Sequence, residues 1–227
     1  MAVIEVKNLH RVYRETKIPV NAVNGIDISF EEGEFTAIVG PSGSGKTTFL
    51  NMLGGLDVPS EGEVYIDKTN LRTLKSGKLI DFRLRNIGFV FQAYNLIPVL
   101  TALENVTFIM QLQGWSKEKR VNRAKELLES VGVGDKINNR PGNLSGGQQQ
   151  RVAVARALAP RPKFILADEP TANLDSKSTG ELLDMMQQMN EESKITFIFS
   201  THDQRVMDKA RRIITIDDGK VVSDITR

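Results

Sequence analysis

An α/β fold with a mainly parallel sheet flanked by helices is predicted by three observations. The first is the run Gly40-Pro41-Ser42-Gly43-Ser44-Gly45-Lys46-Thr47, which fits the pattern G-x-x-x-x-G-K-[ST] between an apolar segment and a helix-like one. The second is a set of short apolar runs, Phe35–Val39, Phe164–Ala167, Thr196–Phe199 and Ile213–Ile216. They are continuous rather than alternating, as strands buried on both faces are. The third is a stretch of helical spacing that begins near Tyr94 and separates two halves of that sheet.

Taken in order, Val3–Leu9 is a predicted strand, and Val20–Phe30, with Ile26, Ile28 and Phe30 alternating, is a second, half-exposed one. Glu31-Glu32-Gly33 turns the chain into the buried strand that feeds the glycine-rich loop. The segment after the loop, Thr48–Leu53, is helical. Residues 57–62 break the chain before a short strand at Glu63–Ile66. A helix over 76–86, basic at its end, precedes the strand Ile87–Phe91, which closes on Gln92. Leu96–Leu100 is an apolar loop, and Leu103–Leu112 and Lys117–Val131 have helical spacing. A linker with Gly, Asn and Pro over 132–144 leads to a helix from about Gly147 to Ala159. A helix over 176–192 lies between two of the apolar strands and gives a β-α-β rhythm.

The 227 residues are 40% hydrophobic and 26% charged, with net charge +2. That suits one core-forming domain, with or without a subdomain, and leaves no electrostatic footprint for nucleic acid. The sequence has no cysteine, which excludes disulfides, zinc thiolates and iron–sulfur clusters and fits a reducing cytosol. Glu5 and Lys7 stand too early for a secretory signal. No apolar run approaches the ~20 residues that span a bilayer, so a membrane role is expected to come through a partner.

The glycine-rich loop carries a definite chemistry. Glycines reach backbone angles that side chains forbid, so successive N–H groups converge on one anion. The helix starting near Lys46 adds its positive end. The Lys46 ammonium reaches outer phosphates, and the Thr47 hydroxyl is suited to Mg²⁺. The pattern points to ATP or GTP. Asp168, at the end of an apolar strand, is placed for the Mg²⁺ shell, and Glu169 beside it can polarise a water molecule. Leu144-Ser145-Gly146-Gly147-Gln148 opens a helix on two glycines and a hydroxyl, a second anion-binding helix start or a plain serine cap.

With these motifs in order, the chain resembles the nucleotide-binding subunit of an ATP-binding cassette (ABC) transporter over nearly its whole length. The resemblance rests on the loop 40–47, Gln92 at a strand end, LSGGQ at 144–148, Asp168-Glu169, the turn Asn173-Leu174-Asp175 and His202 after a strand. Residues 88–92, 95–98, 101–106 and 144–151 are similar to the branch serving macrolide-type efflux and lipoprotein-release permeases. Ala172 departs from the glycine common there, without removing a catalytic group.

The resemblance implies the ABC ATPase fold. That is a phosphate-loop NTPase core with a mainly parallel sheet, an N-terminal antiparallel β subdomain and an inserted α-helical subdomain. One domain, 1–227, is expected, with the core at about 1–93 and 160–227 and the helical subdomain with the signature at about 94–159. ATP and Mg²⁺ are the implied ligands. Catalysis falls to Glu169 as general base, His202, Gln92 and Lys46, and the metal to Thr47, Gln92 and Asp168. Nucleotide contacts fall to Tyr13 against adenine, the loop from Gly40 to Thr47 with Thr48, and Ser145, Gly146, Gly147, Gln148 and Asp175.

Two such subunits, identical or related, are expected to pair head to tail around two ATP, at the cytoplasmic face of a membrane permease. The apolar loop Leu96–Leu100 either docks that permease or caps the subdomain core. Two other functions fit the same motifs: a cassette driving a non-transporting envelope or cell-division permease, and a soluble cassette acting on ribosomes or DNA.

Overall fold

The structure, a computed structural model, describes residues 2–14 and 19–227. Two sheets and a helical layer build it. Strands β1 (Ala2–Tyr13), β2 (Val20–Glu31), β4 (Glu61–Ile66) and β5 (Thr69–Asn70) form an antiparallel sheet in the order β2-β1-β4-β5. The second sheet holds β3 (Phe35–Val39), β6 (Ile87–Phe91), β7 (Phe164–Asp168), β8 (Thr196–Ser200), β9 (Arg212–Asp217) and β10 (Lys220–Thr226) in the order β10-β9-β3-β8-β7-β6. All its neighbouring strands run parallel except β10, which pairs antiparallel with β9.

The helices are α1 (Lys46–Leu53), α2 (Ser76–Asn86), α3 (Ala102–Leu112), α4 (Lys117–Ser130), α5 (Gly146–Leu158), α6 (Ser176–Ser193) and α7 (Gln204–Lys209). Among the described residues no helix is long and apolar enough to cross a membrane.

The continuous apolar strands are buried on both faces, as their composition predicts. Along β7, Phe164 and Leu166 join a core shared with α1 and the antiparallel sheet, while Ile165 and Ala167 join a core shared with α3–α6. Along β8, Phe197 and Phe199 face the helices and Ile198 faces the other way. Phe35 packs its ring 4.7 Å from that of Phe199 and 5.8 Å from that of Phe197. The phosphate-loop helix α1, through Phe49, Leu50, Met52 and Leu53, thus sits between the two sheets.

Several elements differ from the sequence reading for identifiable reasons. β1 runs four residues beyond Leu9 because its register shifts between Val6 and Leu9, where Asn8 takes φ 43° and donates its N–H to Asp27 Oδ1 at 2.9 Å. A bulge re-phases the alternation, so the simple period stops while the strand continues. β10 was not expected, yet Asp218 (φ 45°) and Gly219 (φ 72°) form the two-residue turn that Asp-Gly favours between β9 and β10. α7 is too short to show a period. The linker 132–144 holds two short 3₁₀ turns, Gly134–Lys136 and Pro141–Asn143.

Helix α3 begins with a capping box between Thr101 and Glu104. One turn on, the buried Asn105 organises the apolar loop before it. Its Oδ1 accepts from the Ile97 N–H at 2.8 Å, and its Nδ2 donates to the carbonyls of Ile97, Leu100 and Thr101 at 3.2, 3.1 and 3.0 Å. Asn105→Ala removes the partner of the Ile97 N–H and of the Leu100 carbonyl and is expected to lower unfolding stability by about 2–3 kcal/mol. Urea unfolding checks this value.

Candidate nucleotide site

The site lies at the C-terminal edge of the parallel strands, where ligands gather in such sheets. Ile38 pairs with Ser200 and Ser200 with Asp168, so β3, β8 and β7 end level. The loop after β3 is wedged between backbone groups at both ends. A Cβ on Gly40 (φ 148°) would lie 2.0 Å from the Ile216 carbonyl oxygen, and one on Gly45 (φ 101°) 2.0 Å from that of Ala22. Further bonds hold it. The Ser44 N–H donates to Pro41 O at 3.2 Å, and the Gly219 N–H to Ser44 O at 3.0 Å. Pro41, Ser42 and Gly43 form the exposed tip, and a Cβ on Gly43 would meet nothing within 4 Å.

Buried Lys46 folds its ammonium onto the loop's own carbonyls, Gly40 O at 2.9 Å and Pro41 O at 2.8 Å. Among the described residues the buried Ser44 hydroxyl has no hydrogen-bond partner. An open tip, an orphaned hydroxyl and a cation satisfied by carbonyl dipoles are what a phosphate would complete. The fit is therefore good. Thr48 follows on α1, half-buried.

Thr47 donates its hydroxyl to Asp168 Oδ1 at 3.0 Å. A hydroxyl and a carboxylate in contact are hard oxygen donors of the kind Mg²⁺ takes while keeping several waters. Among the described residues, no group of three or more His, Cys, Asp or Glu side chains is arranged for a metal. The pair suits a cation that relies on phosphate and water for the rest of its shell.

Glu169 takes φ 46° and donates its N–H to Ser200 O at 2.9 Å, which turns its side chain out of the strand direction. One carboxylate oxygen, Oε1, meets His202 Nδ1 at 2.8 Å. The other, Oε2, is buried without a partner among the described residues. Positive φ in a non-glycine residue costs free energy and persists where the surroundings dictate it. The structure thus brings together Lys46, Thr47, Asp168, Glu169 and His202.

The other expected residues lie around this cluster. Ser145 and Gln148 form a reciprocal cap at the start of α5: Ser145 Oγ accepts from the Gln148 N–H at 3.3 Å, and Gln148 Oε1 accepts from the Ser145 N–H at 2.9 Å. Gly146 and Gly147 are the first residues of that helix. No hydrogen bond joins this cap to the phosphate loop among the described residues. Asp175 caps α6, accepting from the Ser178 N–H at 2.9 Å and its hydroxyl at 2.7 Å. Those bonds hold its carboxyl below the usual range. The exposed Gln92 side chain makes no hydrogen bond among the described residues, while its carbonyl accepts from Asn173 Nδ2 at 3.0 Å. Tyr13 donates its hydroxyl to Asp57 Oδ2 at 2.7 Å.

Two residues to which the sequence reading gave no individual role connect these parts. The buried Gln150 of α5 donates to Pro170 O at 2.8 Å, tying the signature helix to the turn after Glu169. The Arg156 guanidinium donates to the backbone carbonyls of Tyr94 (2.8 Å) and Asn95. Burial lowers its pKa. Arg156 interrupts the apolar run of α5, whereas Gln150 stands within the polar run Gln148–Arg151 and gives no such signal.

The profile of the ABC transporter family matches residues 23–172. The chain belongs to the ABC transporter family. As an ABC ATPase domain it is 47% identical over 219 residues to an uncharacterized ABC transporter ATP-binding protein of Thermotoga maritima, covering 96% of this chain and 93% of that one. It is 45% identical over 224 residues to the macrolide export ATP-binding/permease protein MacB of Aggregatibacter actinomycetemcomitans, covering 99% of this chain but 35% of MacB. The dimeric post-hydrolysis structure of the ATP-binding cassette MJ0796, bound to ADP and Pi, superposes with a TM-score of 0.91 at 44% identity. It covers 98% of each chain, and MJ0796 comes from Methanocaldococcus jannaschii.

The wedged glycines yield a prediction for this ABC ATPase domain. Gly45→Ala drives a methyl into the Ala22 carbonyl, whereas Gly43→Ala (φ 81°) adds one to open space. Gly45→Ala is expected to lower the melting temperature well beyond Gly43→Ala, whose cost is limited to about 1 kcal/mol of backbone strain. Thermal melts of the two variants check the order.

Proposed function

We propose that this ABC ATP-binding subunit hydrolyses ATP between two cassettes paired head to tail and so drives a membrane permease. The observation that carries the reading is the Glu169–His202 contact of 2.8 Å at the strand edge that also holds Thr47 against Asp168. His202 holds the Glu169 carboxylate, which takes a proton from water. Water oxygen attacks the γ-phosphorus, the bond to the β–γ bridging oxygen breaks, and ADP and phosphate result. Lys46 leaves its loop carbonyls to neutralise the outer phosphates. Thr47, Asp168 and Gln92 would hold Mg²⁺, which supplies charge neutralisation along the β and γ phosphates when bound.

Pairing is supported by the dimeric MJ0796 cassette and by the placement of Ser145, Gly146 and Gly147 on a helix start with no hydrogen bond to their own phosphate loop among the described residues. A second copy then presents its signature to the γ-phosphate, Asp175 stands beside that contact, and loss of the γ-phosphate opens the pair. Glu169→Gln is expected to bind ATP, hydrolyse it at least about a hundredfold more slowly, and accumulate as a dimer in gel filtration with ATP and Mg²⁺. Ser145→Arg is expected to keep single-chain ATP binding and lose that dimer. A Glu169→Gln protein that stayed monomeric would count against the sandwich.

The permease reading draws on an apolar groove of about 400 Å³ lined by Leu56, Ile80, Phe89, Ile97, Phe108 and Ile109, next to Gln92. Leu96 packs against the helical core, which supports the capping role, while Ile97 lines the groove, which supports docking. An efflux or lipoprotein-release permease is favoured by the likeness to MacB. The subunit then sits at the cytoplasmic face of the membrane through its partner, with no role for nucleic acid. Ile97→Asp is expected to abolish co-purification with the membrane partner and to leave soluble ATPase activity unchanged. Loss of both would assign the loop to folding.

A further inference from the structure

At the end of β1, three side chains from distant parts of the sequence lock together. Arg11 grips Asp57 through both carboxylate oxygens, Nε to Oδ2 and NH2 to Oδ1, each at 2.9 Å. Tyr13 donates its hydroxyl to the same Oδ2 at 2.7 Å. The Arg11 guanidinium also lies over the Tyr13 ring, 4.4 Å from its centroid. The side chains of Arg11 and Asp57 are 22% and 21% exposed, so the cluster is sheltered, and fork geometry with partial burial makes such a pair worth more than a surface contact. Burial alone would raise the Asp57 pKa, but the bonds from Tyr13, the Val58 N–H and Arg11 outweigh it and hold the carboxyl below its usual range.

The cluster stands beside the phosphate loop. Gly45 rests against the Ala22 carbonyl, and on the same ladder Val12 pairs with Asn21 and Tyr13 with Val20. Two strand steps, with Asn21 between, separate Ala22 from Val20, about 7 Å along the strand, roughly the reach from a nucleotide's phosphates to its base. Asp57 follows α1 and bonds back to it, its N–H donating to Asn51 O at 3.3 Å. The ring is therefore clamped to the loop that ends the phosphate-loop helix.

We propose that Asp57 and Arg11 are positioning residues for nucleotide-base binding: they fix the Tyr13 ring and occupy one of its faces, so that the opposite face receives the base. This rests on the reading of Tyr13 as the base-stacking aromatic. A ring already held loses less freedom on binding than one that must be ordered.

The test is calorimetric binding of ATP and of inorganic tripolyphosphate, which lacks a base, to the full chain in EDTA. Tyr13→Ala should weaken ATP about tenfold and leave tripolyphosphate unchanged. Asp57→Ala, Asp57→Asn and Arg11→Ala should each weaken ATP about threefold with tripolyphosphate again unchanged, and Asp57→Ala should add nothing to Tyr13→Ala. Normal ATP binding in Tyr13→Ala would remove the stacking reading, and the proposal with it. Weakening in Tyr13→Ala but not in the Asp57 and Arg11 variants would keep stacking and overturn positioning. Equal weakening of both ligands by the Asp57 variants would make the cluster a fold support, and tighter ATP binding in Arg11→Ala would make Arg11 a competitor of the base.

Discussion

The phosphate loop is held by its surroundings at two points. Gly40 is pressed against the Ile216 carbonyl and Gly45 against that of Ala22. One contact comes from the parallel sheet and the other from the antiparallel sheet. The loop and α1 are therefore the junction of the two sheets, and the loop's shape depends on both. This explains why the antiparallel sheet, which contributes no acid or base to the strand-edge cluster, cannot be separated from the site. It also explains the glycines. Only a residue without Cβ fits where backbone meets backbone, and the positive φ at both positions adds a second reason.

From that junction the other groups follow by register. β3, β8 and β7 end level, so Asp168 and Glu169 emerge beside the loop, and the chain leaves β8 towards His202. Connections then lead away from the reacting edge. Gln150 ties α5 to the turn after Glu169, Asn173 holds the Gln92 carbonyl, and Arg156 fastens the segment 94–95 to the end of α5. Tyr94 and Asn95 both have positive φ. The Arg156 bonds clamp this segment between the signature helix and the groove that Asn95, Ile97 and Arg156 line.

Much of this was legible in the residues. Phe164–Ala167 and Thr196–Phe199 announced doubly buried strands because a parallel sheet covered on both sides needs no polar face. The loop, the acid pair and LSGGQ were legible because their chemistry fixes residue type and spacing. What escaped had physical causes. The bulge at Asn8 broke the alternation of β1, and β10 was announced only by Asp218-Gly219, a turn signal in a short terminal segment. The Arg11–Tyr13–Asp57 cluster joins residues more than forty positions apart, and no local pattern reports such a contact. Gln150 and Arg156 read as ordinary polar positions until their carbonyl partners are seen.

The central claim is that one chain's phosphate loop and another chain's signature close on the same nucleotide. The absence of cysteine from the sequence allows a direct measurement. Chains carrying Ser42→Cys and chains carrying Ser145→Cys, both in a Glu169→Gln background, would be mixed and oxidised with and without ATP and Mg²⁺. The account predicts a covalent dimer between the two kinds of chain that requires ATP. No covalent dimer between the two kinds of chain in the presence of ATP and Mg²⁺, or one that forms equally without them, would contradict it.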